Sequence, residues 1–186
     1  QPQWWTGKNV MKVKGRDRHL GIDKDRLQGM SAEDIVGATV WTEWGIVMGS
    51  PYPARVEGYD PNQGGVAFRG PWTYHMSERI ITGNRYHLED KPQWLDQDGE
   101  FWVEKRGNGG RIFLRLPDGE HPDNVTIEAA RHTSLIESTN LFHVEISGFN
   151  FRYTNIHWDY NLPRWGHDDL RDAVIRLSGG GDGINI

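Results

Sequence analysis

The spacing of apolar and polar positions changes along this chain. Residues 1–34 are polar with no repeating apolar interval, and they carry the charged stretches Lys12–Arg18 and Asp23–Arg26. Mixed charges of this kind mark a solvated face, so the segment is expected to be irregular. Ser31 ahead of Glu33 and Asp34 offers an N-cap for one or two helical turns before Gly37. From Ala38 to Met48 the period is two and the residues are β-branched and aromatic, which predicts a strand ending at Gly49-Ser50-Pro51. Further runs predict strands at Ala54–Tyr59, Gly65–Arg69, Arg79–Ile81, Glu100–Glu104, Arg111–Leu116 and Val125–Ala129. Between them, Asp60–Gly65, Asp96–Gly99, Arg106–Gly110 and Pro117–Glu120 have turn chemistry. No stretch carries the period of a long amphipathic helix, so the expected class is all-β.

Near the end the pattern repeats. Leu135–Ile146 lies on Ile175–Ile186 at an offset of 40 residues, with Ser138 on Ser178, Val144 on Ile184 and Ile146 on Ile186. In both copies an apolar-polar-apolar triplet follows a small polar turn. One face of a stacked coil requires this arrangement: apolar side chains inward, polar ones outward, and a sharp corner. Gly179–Gly183 is then a corner; the Lys-Ser/Thr and the helix of a phosphate-cradling loop do not follow it. The aperiodic residues from Asn155 to Arg171 are the expected loop between the copies.

Composition narrows the classes. The 186 residues are one domain's worth, or two small ones. A net charge of −5 gives no basic footprint for phosphates, so nucleic acid is not the expected partner. No apolar run approaches the ~18 residues of a membrane span. Gln1–Trp5 has neither the charged start nor the apolar centre of an export signal, so an exported form is expected to be a processed chain. The absence of cysteine removes disulfides, thiolate metal sites and cysteine nucleophiles. Twenty-three glycines and nine tryptophans fit strands, tight turns and stacking surfaces.

Gly83-Asn84-Arg85-Tyr86-His87-Leu88-Glu89, Leu95-Asp96, Gly99-Glu100-Phe101-Trp102-Val103, Ile112-Phe113-Leu114 and Pro117-Asp118-Gly119 form a block. It resembles one that precedes the first regular coils in secreted right-handed parallel β-helix proteins of the pectin-lyase-like superfamily. In that family a small Trp-rich β module comes before the block, as Ala38–Trp72 does here. The resemblance covers residues 35–186 and implies, after the irregular segment at 1–34, a small β module at 35–82 and connecting strands with the first β-helix coils at 83–186, in an all-β chain. It also implies a secreted, cell-surface or periplasmic carbohydrate-active protein. The family includes glycoside hydrolases and polysaccharide lyases, with catalytic residues usually on later coils. The chain ends within an apparent strand, so the remaining coils of its own chain, or another chain, are expected to stack on the last coil.

Candidate chemistry concentrates in the loop between the copies: His157, Trp158, Asp159, Tyr160, Trp165, His167, Asp168, Asp169 and Asp172. Aromatic rings stack on the apolar faces of sugars, and carboxylates bond hydroxyls or transfer protons. On this reading Asp159, His167 and Asp168 are the candidate catalytic residues, and Trp158, Tyr160 and Trp165 bind a polysaccharide or oligosaccharide. The alternative is that the rings fold the loop onto the coil while the acids are solvated. No metal signature spaces His157 and His167, and no cofactor is expected; Asp168, Asp169 and Asp172 offer oxygens to calcium without an EF-type spacing. Trp41, Trp44 and Trp72 are either packing of the leading sheet or, with Glu43, a binding face. The absence of a Lys/Arg cluster to neutralise a uronate favours hydrolase over lyase. A noncatalytic glycan-binding, adhesin or structural module that stacks with other chains is the rival reading.

Overall fold

The computed structural model describes residues 3–44, 47–69, 80–155 and 173–186, which form two compact units, Gln1–Asn124 and Val125–Ile186. In the first, strands β1 (Gln3–Trp4), β2 (Gly7–Val13), β3 (Arg16–Ile22), β4 (Thr39–Trp44), β5 (Val47–Asp60), β6 (Gly65–Phe68) and β7 (Arg85–Glu89) make one antiparallel sheet. Its order is β1-β7-β4-β5-β6-β3-β2. The long β5 joins the two parts of the sheet, pairing with β4 as far as Arg55 and with β6 from Val56. Two further strands, β8 (Phe101–Arg106) and β9 (Gly109–Leu114), form a separate hairpin whose turn begins at Gly107, φ 55.

The described residues of the 1–34 segment are not irregular. Lys14 and Gly15 both take positive φ, 50 and 74, in the two-residue turn that suits the right-handed twist of a hairpin, and β2 and β3 pair through all seven positions from Gly7↔Ile22 to Val13↔Arg16. Lys12, Lys14, Arg16, Asp17 and Lys24–Arg26 are exposed as expected, but Asp23 is buried at 3% exposure; edge-strand pairing, rather than apolar periodicity, makes the strands. Two four-residue helices follow, α1 (Lys24–Leu27) and α2 (Ala32–Ile35). Ser31 caps α2 as its sequence predicts, its Oγ accepting the Asp34 N–H at 3.2 Å. Each helix is too short to be stable alone, and each is anchored by one buried apolar residue, Leu27 or Ile35.

The core of this unit gathers Trp5, Leu27, Ile35, Val40, Val56, Val66, Phe68, Ile80, Tyr86 and Leu88 among others. Trp5 lies at its centre, stacked on Tyr86 at 3.7 Å between ring centroids, with its Nε1 donating to Thr42 Oγ1 at 2.8 Å. A Cβ on Gly21 would stand 2.5 Å from the Trp5 ring, so the indole demands glycine there. The strand expected at 79–81 does not form at its described residues. Ile80 is buried instead beside a turn in which Asn84 Oδ1 accepts the Ile81 N–H at 2.8 Å. Val125–Ala129 is also without strand structure, since alternation makes a strand only where a partner edge is at hand.

The second unit holds β10 (Ile136–Glu145) and β11 (Ile175–Asn185), paired in parallel. Val144 pairs with Ile184, at the offset of 40. Upstream the register is shorter by one: Ser138 pairs with Leu177, not with Ser178. The shift falls between Thr139 and Leu141, where the single residue Asn140 stands against Gly179 and Gly180, a β-bulge. Both strands turn corners at matching places. Asn140 (φ 57) and His143 (φ 51) are matched by Gly179 (φ 81) and Gly183 (φ 66), and Asn140 Oδ1 accepts the Gly180 N–H at 2.9 Å. Among the described residues of this unit none is fully buried. All-β architecture is thus observed, and among the described residues no helix is long and apolar enough to cross a membrane.

Candidate functional site

Strand β7 alternates strictly. Tyr86 and Leu88 point into the core, so Arg85, His87 and Glu89 face outward, as the two-residue period of a strand requires. Pairing with β4 sets Trp41 opposite His87 and Thr39 opposite Glu89. On that face the Trp41 ring lies nearly parallel to the His87 ring, 10° apart at 6.1 Å, and Trp41 Nε1 donates to Glu89 Oε1 at 2.5 Å. The other carboxylate oxygen, Glu89 Oε2, is 3.9 Å from His87 Nε2.

After β7 the chain turns sharply at Asp90, whose φ of 66 is unusual for a residue with a side chain. Asp90 Oδ2 accepts from the Thr39 hydroxyl and from Arg55 Nη1 at 3.2 Å, which ties the turn to the sheet. Lys91 Nζ donates to the Glu33 carbonyl at 2.8 Å, and Pro92–Trp94 forms a single 3-10 turn. Glu100 closes the following loop: its Oε2 accepts the backbone N–H groups of Asp96 at 2.8 Å and Gln97 at 3.0 Å. Trp102 Nε1 donates back to the Asp90 carbonyl at 3.1 Å. The result is an open cleft of about 350 Å³, with His87 and Glu89 on one side and Trp94, Glu100 and Phe101 among its other walls.

The electrostatics follow from this half-buried position. Burial raises the Glu89 pKa above its ordinary value; the Trp41 N–H opposes the shift, and the negative charges of Asp90 and Glu100 add to it. Burial lowers the His87 pKa, with Glu100 opposing. Glu89 therefore keeps its proton to higher pH than a free carboxyl, and His87 loses its own earlier than a free imidazole. A carboxyl and an imidazole so placed can accept hydrogen bonds from hydroxyls and serve in proton transfer. Trp94 Nε1 is a buried donor with no acceptor among the described residues.

The residues singled out for catalysis, Asp159, His167 and Asp168, and for sugar stacking, Trp158, Tyr160 and Trp165, lie outside the described residues, as do His157, Asp169, Asp172 and Trp72. Glu43 does not sit on a binding face beside Trp41. It is 2% exposed, and its carboxylate accepts from Arg85 Nε at 2.8 Å, from Arg85 Nη2 at 2.5 Å and from the Arg85 backbone N–H at 2.9 Å. The cleft residues belong to the block at 83–119, where the sequence pattern speaks of fold; the signal for a site was the alternation that puts His87 and Glu89 on one face. Among the described residues no group of three or more His, Asp and Glu side chains is arranged to hold a metal ion. Compared with family models, with curated proteins and with solved structures, the chain matches none.

Proposed function

We propose that this is a carbohydrate-active protein that holds a glycan in the cleft beside β7, and that β10 and β11 are rungs of a right-handed parallel β-helix. The observation that carries the glycan reading is the meeting, in one cleft, of the Glu89 and Glu100 carboxylates, the His87 imidazole and the rings of Trp94 and Phe101. Sugars present hydroxyl groups around a ring with apolar faces, and their recognition combines carboxylate acceptors with aromatic surfaces. The volume is within the ~300–1,000 Å³ usual for small-molecule sites.

The β-helix reading is supported by the parallel register of β10 and β11 and by the two left-handed corners that recur in both. Stacked coils bury a continuous core only when several are present. The incomplete burial of Ile136, Val144, Ile175 and Ile184 therefore fits further coils, from the same chain or from another. Hydrolysis is favoured over elimination because two carboxyl groups, Glu89 and Glu100, meet in one cleft, the pair a glycosidase requires, while Lys91 alone among its lining residues is a cation that could neutralise a uronate. Export to the periplasm, the cell surface or the medium, where many polymeric glycans lie, is part of the same proposal.

The test is titration calorimetry with a panel of neutral and uronic oligosaccharides, alongside assays for new reducing ends and for the absorbance of unsaturated products. Saturable binding with new reducing ends is expected. Absence of binding and of both products would overturn the reading. A second reading, a noncatalytic module that stacks with other chains, is favoured by the exposure of Phe142 and Phe149 in the second unit. Binding without product, together with large ordered species in light scattering, would select it.

A further inference from the structure

We propose that the cleft beside β7 takes neutral sugars and rejects uronic and sulphated ones, an inference that rests on the glycan reading of the same cleft. Three carboxylates and one ammonium line it: Glu89, Asp90, Glu100 and Lys91. The cations are fewer than the acids. Arg55, behind Asp90, pairs with that carboxylate and also attracts the charge of Glu89, while Lys91 Nζ, held on the Glu33 carbonyl, keeps its own charge, so carboxylates still outnumber cations. Among the described residues no lysine or arginine nitrogen lies within ion-pair distance of Glu100, and Arg55 acts on Glu89 only through its charge. His87, with its pKa lowered by burial, adds no compensating charge near neutrality.

Each of the two carboxylates also has one oxygen left to use. Trp41 occupies Glu89 Oε1 and leaves Oε2; the backbone of Asp96 and Gln97 occupies Glu100 Oε2 and leaves Oε1. An ionised carboxylate only accepts hydrogen bonds, so these oxygens call for O–H donors, which every pyranose carries around its ring. A uronate or sulphate brought to the same place meets like charge in a half-buried cleft, where the repulsion exceeds its value in open water. Phe101, 66% exposed although apolar, offers a ring face to the sugar. Selectivity then comes from charges built against the wrong ligand as much as from contacts to the right one.

The experiment compares, on the full chain, neutral gluco-, manno- and xylo-oligosaccharides with oligogalacturonate and oligoalginate of equal length, at low and at high salt. The best neutral ligand should bind more tightly than either uronate by roughly tenfold or more, about 1.4 kcal/mol, and added salt should narrow the gap. Glu89→Lys should shrink or reverse the ratio. Phe101→Ala should weaken neutral binding without moving the thermal midpoint; Trp94, which packs against the core, is not suited to this purpose. Uronate binding equal to or tighter than neutral binding, or a ratio unchanged in Glu89→Lys, would overturn the selectivity while leaving glycan binding in place. Failure of every sugar to bind would remove the glycan reading itself and the selectivity with it.

Discussion

A buried carboxylate tolerates its position only when its oxygens find donors, and Asp23 shows how this chain meets the demand. It is 3% exposed; Oδ1 accepts the Arg26 N–H at the start of α1, and Oδ2 accepts the Tyr86 hydroxyl at 2.7 Å. Burial, and then Asp23 itself, push the Tyr86 pKa far above its ordinary 10.0, so the hydroxyl stays a donor at every accessible pH. Tyr86→Phe keeps the ring stacked on Trp5 but strands one carboxylate oxygen. The expected cost is about 1–3 kcal/mol of stability, to be read as a lowered denaturant midpoint at unchanged slope. An unaltered midpoint would mean that water satisfies Asp23 equally well. Nothing in the local pattern around residue 23 announces a partner 63 positions away; only the closing of the sheet brings Tyr86 over it.

At the scale of the element, regularity lies in the corners of β10 and β11 as much as in their straight parts. Gly179 sits at φ 81, and a Cβ there would stand 2.5 Å from Asn140 Oδ1, the atom that accepts the Gly180 N–H. Gly179→Ala should therefore cost about 1–2 kcal/mol from the left-handed backbone alone, with displacement of Asn140 in addition. Hydrogen exchange checks it: amides over 175–185 should lose protection, and those of β4 and β7 should not. The repeat at offset 40 was legible beforehand because small residues and apolar triplets recur. The one-residue slip at Asn140 was not, since a bulge arises from the backbone geometry of two strands together. The β2–β3 hairpin escaped notice for a related reason. Its residues are mostly polar, and the informative signal, Lys14-Gly15 between two seven-residue runs, is a turn rather than a period.

For the molecule as a whole, the cleft imposes a pH dependence with opposing parts. Between 4.5 and the raised Glu89 value, the folded chain holds a proton that the unfolded chain has released, so this group lowers stability as pH rises through that interval. Below 6.5 the unfolded chain binds a proton that folded His87 refuses, so this group raises stability as pH climbs towards 6.5. Denaturant midpoints measured from pH 4.5 to neutrality should show wild type losing ground to Glu89→Gln with rising pH and gaining ground on His87→Gln. Parallel curves for all three would show that neither group titrates differently on folding. All-β character, the capped turn at Ser31, the turns after Asp60, Gln97 and Arg106 and the parallel partnership of Val144 with Ile184 were determined by the sequence alone, whereas Gly49-Ser50-Pro51, expected to end a strand, lies within β5. Propensity, capping and turn chemistry act over a few residues, and a repeat states its own alignment. The assembly of seven strands in the order β1-β7-β4-β5-β6-β3-β2, and the cleft that places Glu89 near Glu100, were decided only by tertiary structure. Which edges pair, and which outward faces then meet a loop, depends on the joint burial of Trp5, Tyr86, Phe68 and their neighbours, a free energy that no short stretch of chain holds by itself.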